Sequence, residues 1–575
     1  MDTNKVHLLS ILPHTVAAVW VAPSLNTLRA EPVACPKPVF AVRSGQYVPL
    51  LKKLFKAKMI FFSQSVRAVN GLFGVRKPDG SLRLIVDARR ANAHFIPPPP
   101  VHLTSPETLA SVLQGCTTTL FTAKSDLDNY YHRIAIPEWL SQYFALPPVS
   151  AQDLGEDVDF PGAATTLLFP CLSTLPMGWA YSVWLAQVAH EWLVYSSGAL
   201  LPHLRLSAGT TWLPGAVYHI IYIDDVVLFG VDTGLVEAAQ AAYVSVVTEA
   251  GFCLKSAKLV RATSTPVKCL GFMVDGLHGK LSIHEDTRRS IVLHTYRILR
   301  SGRASGRQLQ VLLGKWLWVL LPTRLLLSVL SASFRFVGCA GEASFSLWPS
   351  VTHELRVLLA TLPLLTTDLR LSVCPVGTAT DASLHGFGVV VTTLPSTRSV
   401  CENLASPLLG EYRQCEGVVP AMATLDNTVQ LQDQSNVISG CRWRLGFKGR
   451  WHTVEHINVL ELRVLELLAK WCMSRPGFIE KKVIFFSDSQ VVVAGLRKGR
   501  SSAYRLLSIY RRLAAYLLGT GTRLIPFWVR SAANPADAPS RGLPMVDQPC
   551  VCEVDLTQVP KGGAVVRRVG EVQWC

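Results

Sequence analysis

The sequence predicts an α/β protein of several domains, and three observations predict it. At 575 residues the chain is too long for one hydrophobic core, and about 100 to 200 residues per domain gives three or four units. Strand-like apolar runs alternate with helix-period segments in two separate stretches, with a leucine-rich helical stretch between them. Each α/β stretch also carries aspartates at the ends of its apolar runs, where charge is costly unless something positive sits against it.

Residues 1–45 show no clear periodicity and are expected to form a loosely ordered arm. From 46 to about 96 basic residues alternate with strand-like runs, ending in GSLRLIVDARRANAHF, and the PPPP at 97–100 forces an extended connector. Residues 106–147 hold a helix-like piece, the strand TTTLFTAKSDLD and an aromatic-rich segment. SAQDLGEDVDFPGAA at 150–164 reads as an acidic surface loop. After LPMG at 175–178, WAYSVWLAQVAHEWLV has no internal breaker and one apolar helical face. IYIDDVVLFG at 221–230 reads as a hairpin with Asp224 and Asp225 at its tip, and a helix over 233–249 follows. Residues 285–340 read as all helical, with Arg and Lys threaded through leucine stripes. Strand texture resumes near 371 and a second α/β unit runs to about 542, while 543–575 remain unassigned.

Composition narrows the function classes. Lys+Arg of 56 against Asp+Glu of 40 leaves a net charge of +16. The excess is spread along the chain, which favours nucleic acid over a lipid surface as partner. The 14 cysteines show no paired spacing for zinc or a disulfide framework, so a reducing compartment, cytoplasmic or nuclear, is expected. The mean hydropathy of +0.29 raises the membrane question. Pro322 and Arg324 interrupt the run 316–330, and His190 and Glu191 interrupt 183–201, so no membrane partner is expected. The N-terminal apolar stretch lacks a preceding basic cluster, and secretion is not expected.

The paired Asp224 and Asp225 require a cation. Upstream, Asp126 ends a strand of alternating threonine and apolar residues in KSDLDNYYHRIAI. If that strand lies beside the hairpin, Asp126, Asp224 and Asp225 converge, a donor set suited to Mg²⁺. Two ions about 4 Å apart activate an attacking hydroxyl and stabilise a leaving pyrophosphate. Asp128, flanking the same strand end, is the alternative ligand.

From about 72 to 275 the ordered blocks resemble the palm of a reverse transcriptase. VRKPDGSLRLIVDARRAN resembles the fingers block, which implies Arg83, and secondarily Arg76 or Lys77, on the incoming triphosphate. KSDLDNYYH resembles the first catalytic block, implying Asp126 as metal ligand and Tyr131 as the gate against a ribose 2′-hydroxyl; alone, Tyr130 and Tyr131 read equally as core aromatics. LPMGWAYSVWLAQ resembles the block supporting template and nucleotide, with Met177 where retroviral relatives carry glutamine. YIDD resembles the second catalytic block, AGFCLKSAK implies Lys258 near the pyrophosphate, and CLGFMVDG resembles the primer grip.

A second acidic set follows. VGTATDASLHGFGVV reads as a strand ending at Asp381, a turn and a returning strand. INVLELRVLELLAKW places Leu460, Val464, Leu467 and Leu468 on one helical stripe with Glu461 at its margin. VIFFSDSQ delivers Asp488 at the end of an apolar strand, and NPADAPSR puts Asp537 beside a proline-initiated helical turn. Four carboxylates from four elements equip a second two-metal site, for hydrolysis. These motifs resemble ribonuclease H over about 371–542, with an insertion at roughly 395–450; Glu455 and Glu466 are alternatives to Glu461. The histidine that retroviral versions carry before the last aspartate is missing from WVRSAANPAD, leaving Arg530 as a substitute for product release.

The resemblance implies a right-hand polymerase followed by a ribonuclease H-like α/β domain. Fingers and palm would span 46–284, a helical thumb and connection 285–370, and ribonuclease H 371–542. Arg288, Arg289, Arg297, Arg300, Arg303, Arg307 and Lys315 would contact duplex phosphates. It further implies two Mg²⁺ per site, with Mn²⁺ as substitute, and as partners an RNA template, a DNA primer, dNTPs and an RNA·DNA hybrid. The wording of HINVLEL and ANPADAPSRG is most similar to DIRS-type or LTR-type retrotransposons. A copy that binds nucleic acid without catalysis is the alternative.

Overall fold

The computed structural model describes residues 5–76, 80, 82–113, 116–155, 165–207, 210, 212–213, 215–394, 412–413, 431, 433–545 and 572–574. Lys77 and most of 395–430 therefore lie outside the described residues.

Within the N-terminal arm, residues Val6–Trp20 pack onto the first core. β1 (Val6–His7) pairs in parallel with Ile134–Ala135, and α1 (His14–Trp20) follows. Leu8, Ile11, Leu12 and Trp20 are buried in the first core. Trp20 lies in an aromatic nest with Phe95, Trp139, Trp179 and Tyr181 at centroid separations of 5.0 to 6.4 Å. These few anchors are too irregularly spaced to register as a helix or strand period, yet each finds a hydrophobic socket worth about 1.5–3 kcal/mol.

A ribbon of β2 (Gly71–Arg76) and β3 (Leu82–Asp87) forms the finger-like projection. After α2 (Pro106–Leu113), β4 (Phe121–Asp126) enters a four-stranded antiparallel sheet. α3 (Ala180–Ser196) precedes the hairpin of β5 (Tyr218–Tyr222) and β6 (Asp225–Gly230), and α4 (Thr233–Glu249) and β7 (Val260–Thr263) complete the unit, in sheet order β5-β6-β4-β7. Both faces of β6 are covered: Val226 and Leu228 pack with Leu185, Ala189, Val236 and Tyr243 of α3 and α4, while Val227 and Phe229 face a second core. That double burial is why the hairpin reads as continuously apolar.

The second core joins this palm to the helices beyond it. β8 (Val267–Cys269), β9 (Phe272–Asp275) and β10 (Lys280–Ile283) form another antiparallel sheet, followed by α5 (Glu285–Ser301) and α6 (Gly306–Leu320). A 3-10 segment at Leu321–Leu330, broken at Thr323 (φ −119°, ψ 54°), leads to α7 (Ser331–Ala340) and α8 (Pro349–Thr361). The run 306–340 has the length and apolarity of a membrane span, but 56% of its most apolar window is buried in the protein. Two features differ from the all-helical expectation for 285–340 and the 284/285 boundary. Arg303–Ser305 pairs as a short strand with Ser344–Ser346, and β11 (Thr366–Asp368) returns past the helices to pair with β10.

The third unit is a mixed sheet. β12 (Val376–Ala382), β13 (Gly386–Thr393) and β14 (Arg444–Arg450) run antiparallel; after α9 (Ile457–Met473), β15 (Lys481–Ser487) joins β12 in parallel. α10 (Gln490–Lys498), α11 (Tyr504–Thr520), β16 (Arg523–Trp528), parallel to β15, and the single turn α12 (Asp537–Ser540) complete it. β14 lies inside the span expected to be an insertion: only Leu445 and the buried Phe447 are apolar among Arg, Lys and Gly, too thin a signal for a strand. β17 (Val572–Trp574), from the unassigned tail, pairs antiparallel with β14.

The units are joined by buried ion pairs. Arg324 binds Glu107 of α2, and Arg511 of α11 donates to Glu354 (2.8 Å) and to the carbonyls of Ser328 and Val329 (3.0 Å each). The architecture is fingers, palm and helical thumb followed by a ribonuclease H-like α/β domain.

Candidate functional site

β4 ends on Asp126 and β6 begins on Asp225, and these residues face each other in antiparallel register. Opposed residues point to the same side of the sheet, so the two carboxylates are neighbours. Asp224 sits one residue earlier, in the Ile223–Asp224 turn between β5 and β6, and its carbonyl accepts the amide of Leu127 (2.9 Å). Asp126 and Asp225 are thus cross-strand neighbours, with Asp224 next to them in the turn. Asp128 lies past the strand end, bonded to the side chain of Asn129 (2.9 Å).

Three lysines compensate the cluster. Lys255 donates to Asp126 Oδ1 (2.7 Å), Lys258 to Asp126 Oδ2 (2.6 Å) and Lys124 to Asp225 Oδ2 (3.1 Å). Lys258 was expected near a pyrophosphate; here it is held on the acid, because an ammonium within reach of a buried carboxylate gains more there than in water. Burial pushes Asp126 up, but hydrogen bonds from Asp225, Lys255 and Lys258 outweigh it and hold the group at about 2. Asp225 moves the other way: burial and its bond to Asp126 raise it to about 7, and burial followed by Asp126 raises Asp224. Asp225 Oδ1 is buried without a hydrogen-bond partner. Two carboxyls whose ionised form is disfavoured, Asp224 and Asp225, beside the ionised Asp126 make a hard-oxygen donor set that fits Mg²⁺ or Mn²⁺.

Around the triad, Tyr130 is a core residue whose hydroxyl donates to Ala186 O (2.9 Å), while Tyr131 is half-buried. Arg76 and Arg83 are exposed on the β2–β3 ribbon, opposite Leu82 and Val75 respectively. That register puts the two arginines on opposite faces of the ribbon, so only one faces the palm. The ribbon is tied to the LPMG loop by Val86 N–H to Met177 O (2.9 Å). Gly178 makes this approach feasible: its φ is +122°, and a Cβ there would fall 2.0 Å from Val86 O. The hairpin turn carries strain, since Ile223, β-branched, has φ +59°, a conformation costing about 1–3 kcal/mol.

In the third unit β12 and β15 are adjacent and parallel, with Ala379 opposite Phe486, so Asp381 and Asp488 lie side by side at the carboxyl ends of their strands. Glu461 reaches them from the first turns of α9. One oxygen from each of Asp381, Glu461 and Asp488 lies within 4.8 Å of the others, which no other trio of acids, histidines or cysteines is found to do among the described residues. Glu461 is not marginal but 7% exposed, because the helix turns this face to the strand ends rather than to solvent. Its Oε1 accepts the amide of Ala382 (3.3 Å) and its Oε2 is buried without a partner. Burial, then Asp381 and Asp488, push it up to about 9. Asp381 is raised to about 7 by burial and by the charges of Asp488 and Asp537, against a hydrogen bond from Ser540. This trio also fits a divalent metal: an orphaned oxygen and two carboxyls whose ionised form burial and neighbouring charges disfavour.

Asp537, the fourth acid of the expected set, lies close enough for its charge to raise Asp381. It opens α12, and its carboxylate is gripped by Arg541 one turn on, at 2.8 to 3.1 Å. A guanidinium four residues away on the same helix competes directly for it. The alternatives to Glu461 are engaged elsewhere, Glu455 with Arg463 and Glu466 with Arg512 and Lys470. Arg530 is paired with Asp433 (2.6 Å).

Sequence reasoning missed the residues that hold the acids in place. Asn534, 5% exposed, donates to Asp488 Oδ1 (3.0 Å), Thr380 O (3.1 Å) and Asp381 Oδ1 (3.5 Å). Ser531 donates to the other oxygen of Asp488. Lys124 had a signal, two residues before Asp126 on the same strand face; Ser531 and Lys255 had none.

No family model matches the chain, and no curated protein matches it. Among solved structures it is similar to the foamy viral protease-reverse transcriptase. In a complex of its dRH form with double-stranded DNA the identity is 14% and the TM-score 0.43, covering 89% of this chain and 74% of that one. With an RNA/DNA hybrid these are 13% and 0.41, covering 93% and 85%. In a further complex with double-stranded DNA they are 14% and 0.40, covering 87% of each chain.

Proposed function

We propose that this chain is an RNA-directed DNA polymerase with ribonuclease H activity, encoded by a retrotransposon of DIRS or LTR type and acting in the cytoplasm or nucleus. The observation that carries the reading is the pairing of two acid clusters in one basic chain, Asp126/Asp224/Asp225 at a palm hairpin and Asp381/Glu461/Asp488 at the strand ends of a ribonuclease H-like sheet.

Two Mg²⁺ ions held by each cluster would supply charge neutralisation and a more acidic hydroxyl or water for in-line attack on phosphorus. In the palm, Asp126, Asp224 and Asp225 hold the metals; Lys255 and Lys258 are within reach of the same region and carry the charge to engage a triphosphate. One arginine of the β2–β3 ribbon, Arg83 in this reading, binds the incoming dNTP, and Tyr131 guards the ribose edge. In the third unit Asp381, Glu461 and Asp488 hold the metals, and Asn534 and Ser531 orient two of them. The exposed Arg288, Arg289, Arg297, Arg300, Arg303 and Arg307 on α5 and the start of α6 offer duplex phosphates a positive track.

The test is extension of a DNA primer on an RNA template by wild type and Asp224→Asn, with hybrid cleavage by wild type and Asp488→Asn. Each substitution should abolish its own reaction by at least about a hundredfold and spare the other. Wild-type protein that binds the hybrid but performs neither reaction would leave the binding-only alternative standing.

A further inference from the structure

The most strained backbone near the palm acids is also the most heavily braced. Ile223, immediately before Asp224, has both its backbone polar groups satisfied by side chains of α3. Gln187 Oε1 accepts the Ile223 N–H (2.8 Å), and His190 Nδ1 bonds the Ile223 carbonyl (2.7 Å). These residues are three apart on one helical face, so they grip a single residue from both ends. Gln187 also donates to Ile221 O (2.9 Å) and Glu191 (2.7 Å), which fixes the orientation of its amide. A carbonyl only accepts, so His190 carries its proton on Nδ1, and Nε2 accepts from the hydroxyl of Tyr243 on α4 (3.0 Å). His190 and Tyr243 are both fully buried, and the Tyr130 ring packs 5.6 Å from the imidazole.

We propose that His190 is a positioning residue for polymerisation: with Gln187 it locks Ile223 in the left-handed conformation that aims Asp224 at Asp126 and Asp225. This rests on the polymerase reading but makes a separate claim. Without the imidazole N–H, a β-branched residue relaxes toward φ below zero and carries Asp224 with it. Asparagine at 190 keeps an amide N–H near the position of Nδ1, whereas leucine offers none. Glycine at 223 occupies positive φ without strain and removes the need for the brace.

The experiment compares His190→Leu, His190→Asn, Ile223→Gly and the double variant His190→Leu/Ile223→Gly in the full-length chain. His190→Leu should lower kcat for primer extension by roughly tenfold or more with KM for dNTP within about threefold, hybrid cleavage being unchanged. His190→Asn should recover most of the loss. In the Ile223→Gly background the His190→Leu penalty should shrink to about twofold; equal penalties in both backgrounds would reduce His190 to core packing and overturn the proposal. A readout independent of turnover is Mn²⁺ binding by electron paramagnetic resonance in an Asp381→Asn/Asp488→Asn background. There His190→Leu should weaken binding about fivefold or more, with restoration by Ile223→Gly. If the wild-type chain extends no primer, the polymerase reading fails while the Mn²⁺ series still decides the role of His190; unchanged Mn²⁺ affinity refutes it.

Discussion

Crowding three carboxyls at the ribonuclease H-like site has a cost that pH and metal should expose. Asp381 titrates near 3.8 when unfolded and about 7 when folded, because burial and the charges of Asp488 and Asp537 disfavour its ionised form. The folded state therefore keeps a proton that the unfolded state has already released. Stability linked to this group is intact below about pH 4 and is lost as pH rises toward about 7. At about 1.36 kcal/mol per unit, the stretch from pH 5 to 7 corresponds to about 3 kcal/mol. A divalent ion reverses the loss, since it binds the ionised cluster and favours the folded state by mass action. The assay is urea denaturation in EDTA at pH 5 and 7.5, with and without added Mg²⁺, for wild type and Asp381→Asn. Wild type should weaken at the higher pH by about 3 kcal/mol more than the variant, and Mg²⁺ should restore wild type preferentially. Equal pH responses, or equal stabilisation of both proteins by Mg²⁺, would refute the account of the cluster as proton-loaded and cation-seeking.

Three further outcomes follow from particular contacts. Gly178→Ala places a Cβ against the Val86 carbonyl and should abolish primer extension while sparing hybrid cleavage, read in the two assays side by side. Glu354→Ala strands Arg511, the amides of Ala332 and Ser333 and the Ser333 hydroxyl; it should cost about 3–5 kcal/mol in urea denaturation, and Arg511→Met distinctly less. Replacing exposed Arg297 and Arg300 with glutamine should flatten the slope of log K against log salt for duplex binding by about 1 to 2 without altering urea stability.

The helices after LPMG and after the YIDD hairpin, Ala180–Ser196 and Thr233–Glu249, are close to where the sequence places them, because a 3.6-residue apolar period over four or five turns is a strong local signal. The paired aspartates were legible for a related reason: charge at the end of an otherwise apolar strand has few structural explanations. The packing of Val6–Trp20 and the Arg444–Arg450 strand had no signal of their own, because their few apolar anchors show no period. Asp537 matched its motif, and its pairing with Arg541 one helical turn away had no signal in the sequence beyond the spacing.

By itself the sequence determined which acids to suspect, where most long helices run and that the chain carries a basic excess, since composition and periodicity are properties of neighbours along the chain. Only the tertiary structure decided that Asp126 stands opposite Asp225, that Glu461 is buried against Asp381, and that His190, Gln187, Asn534 and Lys255 brace or neutralise the two clusters. Those contacts join residues tens to hundreds of positions apart, and their strength comes from desolvation and close approach, which exist only once separate elements have packed together.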